Sequence, residues 1–309
     1  MITIKVDISV TSGRGGPTHF IKGIHNILPY NTSKCYFIPS KKIYPLKEKE
    51  NSNYYYIPYP KLNESTYNKW IKIKKVNKLI LGPVFVPLFW SRFPNKKIWK
   101  ERRFPEILKQ VKGIAVHSKR VRDYLSKRSN TINLLNKFKI IRPCTNIKPK
   151  KVKPFLKREI DILFFEKYKD LDYSQQGTQI INLFYNTSKK IERLKYGNYT
   201  IEKMKYLANN SKFIIYFSFF DTGAIGLKEI QNYGVYAFSH QRDLIIHKDT
   251  GFFVPELANK KDMSKAYLII MEKIKIITNL HPNTKSFAKI NQKINKCQNT
   301  LNDLCESIL

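Results

Sequence analysis

Short apolar, β-rich runs alternate with helix-length segments in two successive series along this chain, and that alternation constrains its fold more than any other feature. Strands that are apolar on both faces and are separated by helices build a parallel sheet covered on both sides. In the first series the spacing predicts strands at Thr3–Ser9, Lys34–Pro39, Tyr54–Pro58, Lys78–Gly82, Gly113–His117 and Lys139–Arg142. In the second it predicts strands at Ile160–Glu166, Ile191–Tyr196, Phe213–Phe217, Val235–Phe238 and Phe252–Val254. Helices are expected near Gln179–Lys189, Thr200–Asn210 and Ile225–Tyr233, and two long helical stretches, Lys260–Ile277 and Thr284–Ser307, finish the chain. Between the series, the proline- and lysine-rich run Lys148–Lys157 has the composition of a linker. A length of 309 residues with 42% hydrophobic side chains suits two α/β domains, residues 1–150 and 151–309, each with its own core.

The chemistry is concentrated between Phe213 and Val254. There FIIYFSF reads as a buried strand, DTGAIG as a small-residue turn and LKEIQNY as a helix, so Asp221 and Glu229 stand eight residues apart across a strand-to-helix turn. Backbone N–H groups at such a helix start, helped by the helix dipole, attract phosphates. A diphosphate held there would lie between the two carboxylates, with Glu229 accepting hydrogen bonds from ribose hydroxyls. The alternative for the isolated pair is that Asp221 caps the helix and Glu229 is a solvated surface residue.

Asp221-x7-Glu229, followed by Gly234, the strand VYAF and Thr250-Gly251-Phe252-Phe253-Val254, resembles the donor-site signature of GT-B glycosyltransferases of the GT4-like, retaining type. That family usually carries E-x7-E, a glycine closing the helix and T-G-x-x-V; the first Glu is Asp here. The resemblance implies two doubly wound Rossmann-like domains facing each other across a cleft. Residues 1–150 would form the acceptor side and 151–309 the nucleotide-sugar side, with the last helix crossing back. It implies transfer from a nucleoside diphosphate sugar to a hydroxyl of a glycan, lipid-linked or protein-linked acceptor, without metal or other cofactor.

Site residues follow from the same resemblance. Glu229 would bind ribose, Asp221 the transferred sugar, and the amides of Thr222, Gly223, Ala224 and Ile225 the phosphates, with Thr250 in the donor-binding set. The loop TSGRGGPTHF resembles the N-terminal glycine-rich loop of the family, which brings the backbone of Gly15 and Gly16 to the diphosphate. Lys167 aligns with the family's phosphate-neutralising Arg. Gln176 stands where the second basic residue belongs, and Lys169 is its substitute. His117, at a strand end, would bond the sugar or the acceptor hydroxyl.

Other readings of these residues are weaker. The glycines of TSGRGG do not complete a dinucleotide fingerprint, since Thr18 stands at the third glycine and no acid follows about twenty residues on. Asp170 and Asp172 form a D-x-D of the kind that holds a divalent cation in metal-dependent glycosyltransferases. The missing second basic residue keeps open a degenerate binding subunit of the same fold, and the formal charge of +34 keeps open a basic nucleic-acid binder. Against nucleic acid, the charge is spread along the chain and Lys outnumbers Arg about fourfold, whereas phosphate reading favours local Arg forks. Residues 92–112 interleave Lys96, Lys97, Lys100, Arg102 and Arg103 with Phe93, Ile98, Trp99 and Phe104, as a peripheral membrane contact would. Met1 leads straight into a strand pattern and no apolar run is long enough to span a bilayer, so a cytoplasmic location is expected. Cys35, Cys144, Cys297 and Cys305 lack metal or disulfide-scaffold spacing and are expected to be ordinary thiols.

Overall fold

The computed structural model describes residues 1–8, 16–41, 54–60, 76–83, 104–128, 130–166, 179–195, 198–217, 224–240, 251–255 and 260–309. They divide into two compact units, Met1–Asn146 with Lys296–Leu309, and Ile147–Asn295.

The first unit holds a sheet of β1 (Ile2–Asp7), β2 (Tyr30–Asn31), β3 (Cys35–Ser40), β4 (Tyr54–Ile57), β5 (Leu79–Leu81), β6 (Gly113–Val116) and β7 (Phe138–Ile140), in the order β2-β3-β1-β4-β5-β6-β7. Only the short β2 runs antiparallel. Among the described residues of Met1–Asn146 the α-helices are α1 (Gly16–His25), α2 (Phe104–Gln110) and α3 (Lys119–Arg128). Phe104 is fully buried, so in the 92–112 cluster this aromatic serves the core and not an outer face; residues 92–103 lie outside the described residues.

The second unit holds β8 (Ile160–Glu166), β9 (Ile191–Lys195), β10 (Ser211–Phe217), β11 (Tyr236–Ser239) and β12 (Gly251–Phe253), all parallel, in the order β12-β11-β10-β8-β9. Residues 179–185 form α4, followed by α5 (Ile201–Asn210), α6 (Ile225–Gln231), α7 (Lys260–Leu280) and α8 (Thr284–Ile294). The central strands explain the arrangement, because their side chains alternate between two cores. Ile162 and Phe164 of β8 with Phe213, Ile215 and Phe217 of β10 pack against Phe184 of α4 and Ala266, Ile270 and Ile274 of α7. Leu163, Phe165, Ile214 and Tyr216 point the other way, to Met204 and Leu207 of α5 and Leu227 and Ile230 of α6. A strand with no polar face has to be covered twice, and helices flank both sides. Capping sets the helix starts: Thr200 Oγ1 accepts from Lys203 N at 3.1 Å, and Asn283 Oδ1 from Ser286 N at 3.1 Å.

Three expectations change. The single stretch Thr284–Ser307 is two helices, α8 and α9 (Cys297–Ile308), broken where the Asn295 side chain turns inward to donate to Asn232 Oδ1 at 2.9 Å. The Lys148–Lys157 run is bonded along the second unit. Lys153 N–H donates to Asn209 Oδ1 at 2.9 Å, and Arg158 behind it is 2% exposed, spending its guanidinium on the carbonyls of Lys153, Ser211 and Tyr233. Burial pushes the Arg158 pKa down to about 10.

The third change concerns the cysteines. Cys35 on β3 and Cys305 on α9 are joined in a disulfide, with Cα atoms 6.0 Å apart at a sequence separation of 270. Local spacing cannot reveal a bridge that tertiary packing assembles. Cys144 and Cys297 are buried thiols, as expected for all four. The same helix is held by Asp303, which accepts from Arg142 N at 2.8 Å and Arg142 Nη2 at 2.6 Å, and by Thr300, whose hydroxyl donates to Arg142 O at 2.8 Å. Among the described residues no helix is long and apolar enough to cross a membrane.

Candidate functional site

The second sheet reverses its order at β8: the chain passes from β8 to β9 on one side, then to β10 on the other. Connections leaving in opposite directions open a crevice at the carboxyl ends of the two strands, where open α/β sheets take ligands. Glu166 and Phe217, the last residues of β8 and β10, are register partners. The segments carrying Lys167, Lys169, Asp170, Asp172 and Gln176 on one side, and Asp221, Thr222 and Gly223 on the other, therefore begin at neighbouring strand ends. These residues themselves lie outside the described residues, as do Gly15 and Thr250. Arg193 of β9 donates its Nε–H to Glu166 Oε1; that bond, working against partial desolvation, raises the guanidinium pKa and anchors the end of β8.

Helix α6 follows β10. Its N-cap is Ala224, in the left-handed region at φ 44° and ψ 44°, with no side-chain cap bond. Gly226 brings the first turn down onto the sheet, since a Cβ there would meet Phe165 Cζ at 3.0 Å. One turn on, Glu229 is 1% exposed. A solvated surface acid is thereby excluded, and a carboxylate withdrawn from water requires partners. Burial and then the charge of Glu229 raise the Tyr233 phenol pKa. Gly234 ends the segment at φ +73°, where a side chain would also run into the backbone carbonyl of Thr284. The glycine expected to close the helix is thus required on two counts.

Two residues at this edge escape the sequence analysis. Gly226 has a signal, a small residue in the first turn of a helix laid on a strand, but the donor motif does not demand it. His240 follows β11 and stacks on Phe217 with centroids 5.7 Å apart and planes 13° apart, at the carboxyl end of β10. Nothing in a lone histidine after a strand announces that contact.

In the first unit, His117 follows β6 at the carboxyl edge of its sheet. Its Nδ1 lies 3.1 Å from the Ile141 carbonyl, so Nδ1 carries the proton and donates. The Phe20 ring of α1 meets it edge to face at 5.3 Å. Gly16 begins α1. The imidazole is therefore oriented by the helix that follows the glycine-rich loop.

No protein-family model matches the chain, and no curated protein matches its sequence. Among solved structures it is similar to sucrose-phosphate synthase from Thermosynechococcus elongatus, over 100% of both chains at 10% identity and a TM-score of 0.58. It is similar to WaaG, a glycosyltransferase involved in lipopolysaccharide biosynthesis, over 100% of this chain and 99% of that one, at 10% identity and a TM-score of 0.50. With TarM the match covers 82% of this chain and 54% of TarM, at 11% identity and a TM-score of 0.54. At such identities the likeness is one of fold, and the fold is that of GT-B proteins, with two Rossmann-like domains.

Proposed function

We propose that this chain is a glycosyltransferase that moves a sugar from a nucleoside diphosphate sugar to a hydroxyl acceptor, with retention and without a metal ion. The observation that carries the reading is Glu229: a buried carboxylate on the helix that follows β10, beside the switch point of a sheet whose fold is GT-B. In this reading Glu229 accepts the ribose hydroxyls, Asp221 contacts the transferred sugar, and Lys167 with Lys169 and the amides of residues 222–225 balance the leaving diphosphate. Thr250, Gly15 and Gly16 complete the donor contacts. The leaving phosphate itself takes the acceptor proton, and His117 bonds the sugar or the acceptor hydroxyl.

The test is a panel of nucleotide sugars assayed for binding and for donor hydrolysis in water. The expected outcome is saturable hydrolysis of one donor that survives chelation, and loss of its binding in Glu229→Ala. Absence of turnover with every donor, together with tight salt-sensitive binding to RNA or DNA, overturns the enzyme reading. Donor binding undiminished in Glu229→Ala removes the ribose assignment.

A further inference from the structure

The charge of +34 has no part in the donor-site reading beyond Lys167 and Lys169, yet some of it is gathered in one place. In the first unit β1, β4, β5, β6 and β7 lie side by side and parallel, so their amino ends share one edge, opposite the edge that holds His117. An open groove of about 520 Å³ lies along that edge, lined by Ile2, Tyr54, Asn77, Lys78 and Lys112. Small-molecule sites have volumes of about 300–1,000 Å³.

The groove is basic and its charges are crowded. Lys112 Nζ stands 5.5 Å from the centroid of the Tyr54 ring. Just before the neighbouring strand β7, Lys137 Nζ donates to Val111 O at 2.9 Å, and on that strand the stem of Lys139 crosses Gly113, where a Cβ would come within 2.9 Å of its Cγ. Burial, followed by the charges of Lys112 and Lys137, lowers the Lys139 pKa. Among the described residues no carboxylate forms an ion pair with Lys78, Lys112, Lys137 or Lys139. Ammonium groups brought together in a concave surface focus a positive field, and a compact anion relieves their repulsion. Lysines supply point charges suited to phosphate oxygens, while the Tyr54 ring and Ile2 offer an apolar wall.

We propose that this groove is a second binding site, for a phosphate-bearing small molecule whose phosphates are held by Lys78 and Lys112 and whose remainder lies along Tyr54 and Ile2. The site is independent of the donor site, since it sits on the opposite edge of the sheet from His117 and uses none of the donor residues.

The test is lysine acylation of the full chain read by mass spectrometry, with inorganic pyrophosphate as the probe and ionic strength held constant with chloride. At about five times its Kd, pyrophosphate is expected to slow labelling of Lys78 and Lys112 about sixfold. That protection should persist in Glu229→Ala, and at Lys78 it should disappear in Lys112→Gln, with Lys78→Gln read at Lys112 as the reciprocal arm. Equal labelling with and without pyrophosphate overturns the site. So does protection that vanishes in Glu229→Ala, or protection by phosphatidylglycerol vesicles and not by pyrophosphate, which would make the edge a membrane contact. Failure of donor turnover leaves this readout untouched.

Discussion

Glu166 and Phe217 face each other across the β8–β10 ladder as its last pair. Each ends a strand just before one of the two segments that carry the expected diphosphate contacts. Strand register therefore sets where the two segments begin before any side chain is considered: a slip of one residue would start them at different levels and turn every core side chain of the slipped strand to the wrong face. Arg193 on Glu166 and His240 on Phe217 hold the two strand ends from either side.

Glu229→Ala is expected to weaken donor binding by about tenfold to a hundredfold, the loss associated with hydrogen bonds to a charged group. Because the side chain is buried, thermal denaturation has to be measured beside calorimetric donor titration. Glu229→Gln, which keeps the volume, separates the loss of charge from the loss of packing.

Gly234→Ala should destabilise the fold by more than about 2 kcal/mol, the cost of a left-handed backbone being compounded by contact with Thr284. Chemical denaturation reads this directly. A change below about 0.5 kcal/mol would mean that the turn relaxes away from Thr284.

His117→Gln should lower kcat about tenfold with the donor KM altered less than about twofold, since the imidazole is assigned to the reacting hydroxyl or sugar and not to the nucleotide. Steady-state kinetics with the identified donor checks it. A raised donor KM at unchanged kcat would instead place the ring on the nucleotide.

Acid should weaken the second unit through Asp161. Burial pushes its pKa up, but the Lys212 ammonium at 2.8 Å and the Lys190 N–H at 3.0 Å outweigh burial and hold it below the usual value. A carboxylate depressed in the folded state stabilises above its unfolded pKa of about 3.9, and that stabilisation is lost as pH falls through the folded value. In urea melts from pH 6 to pH 3, Asp161→Asn should show a shallower acid slope than wild type. The difference should be on the order of 1 kcal/mol, because the pair is partly solvated.

Cys305→Ser should lower stability by about 2–4 kcal/mol under oxidising conditions and leave it unchanged under reductant, since the bridge to Cys35 closes a loop of 270 residues. Non-reducing peptide mapping must first find the Cys35–Cys305 pair. Four free thiols in protein handled without reductant would overturn it.

Much of the fold was legible because its signals are local. Runs such as IDILFFE and SKFIIYF can only be buried strands, and the strand predictions meet the structure within a residue or two at their ends. What escaped depends on distance. Asn295 looks like one more polar helix residue until Asn232 is placed beside it, and Cys35 has no visible relation to Cys305 until α9 lies on the first unit. The site was legible as a spacing, Asp221 to Glu229, but whether Glu229 is solvated is a matter of burial that spacing does not encode. The amino-edge groove was less legible still: Lys78, Lys112, Lys137 and Lys139 are scattered singly along the chain, and only a parallel sheet brings them to one edge.

The return of Lys296–Leu309 to the first unit has a consequence for the order in which the protein is made. A ribosome delivers residues 1–146 before residues 147–295, yet the helix that bonds Arg142 through Asp303 and joins Cys35 emerges only after both. The second unit, continuous from Ile147 to Asn295, is available to fold as soon as it is delivered, whereas the first waits with its docking face for α9 uncovered until Cys297–Ile308 has been made. Of the two units, the one begun earlier is the one completed later.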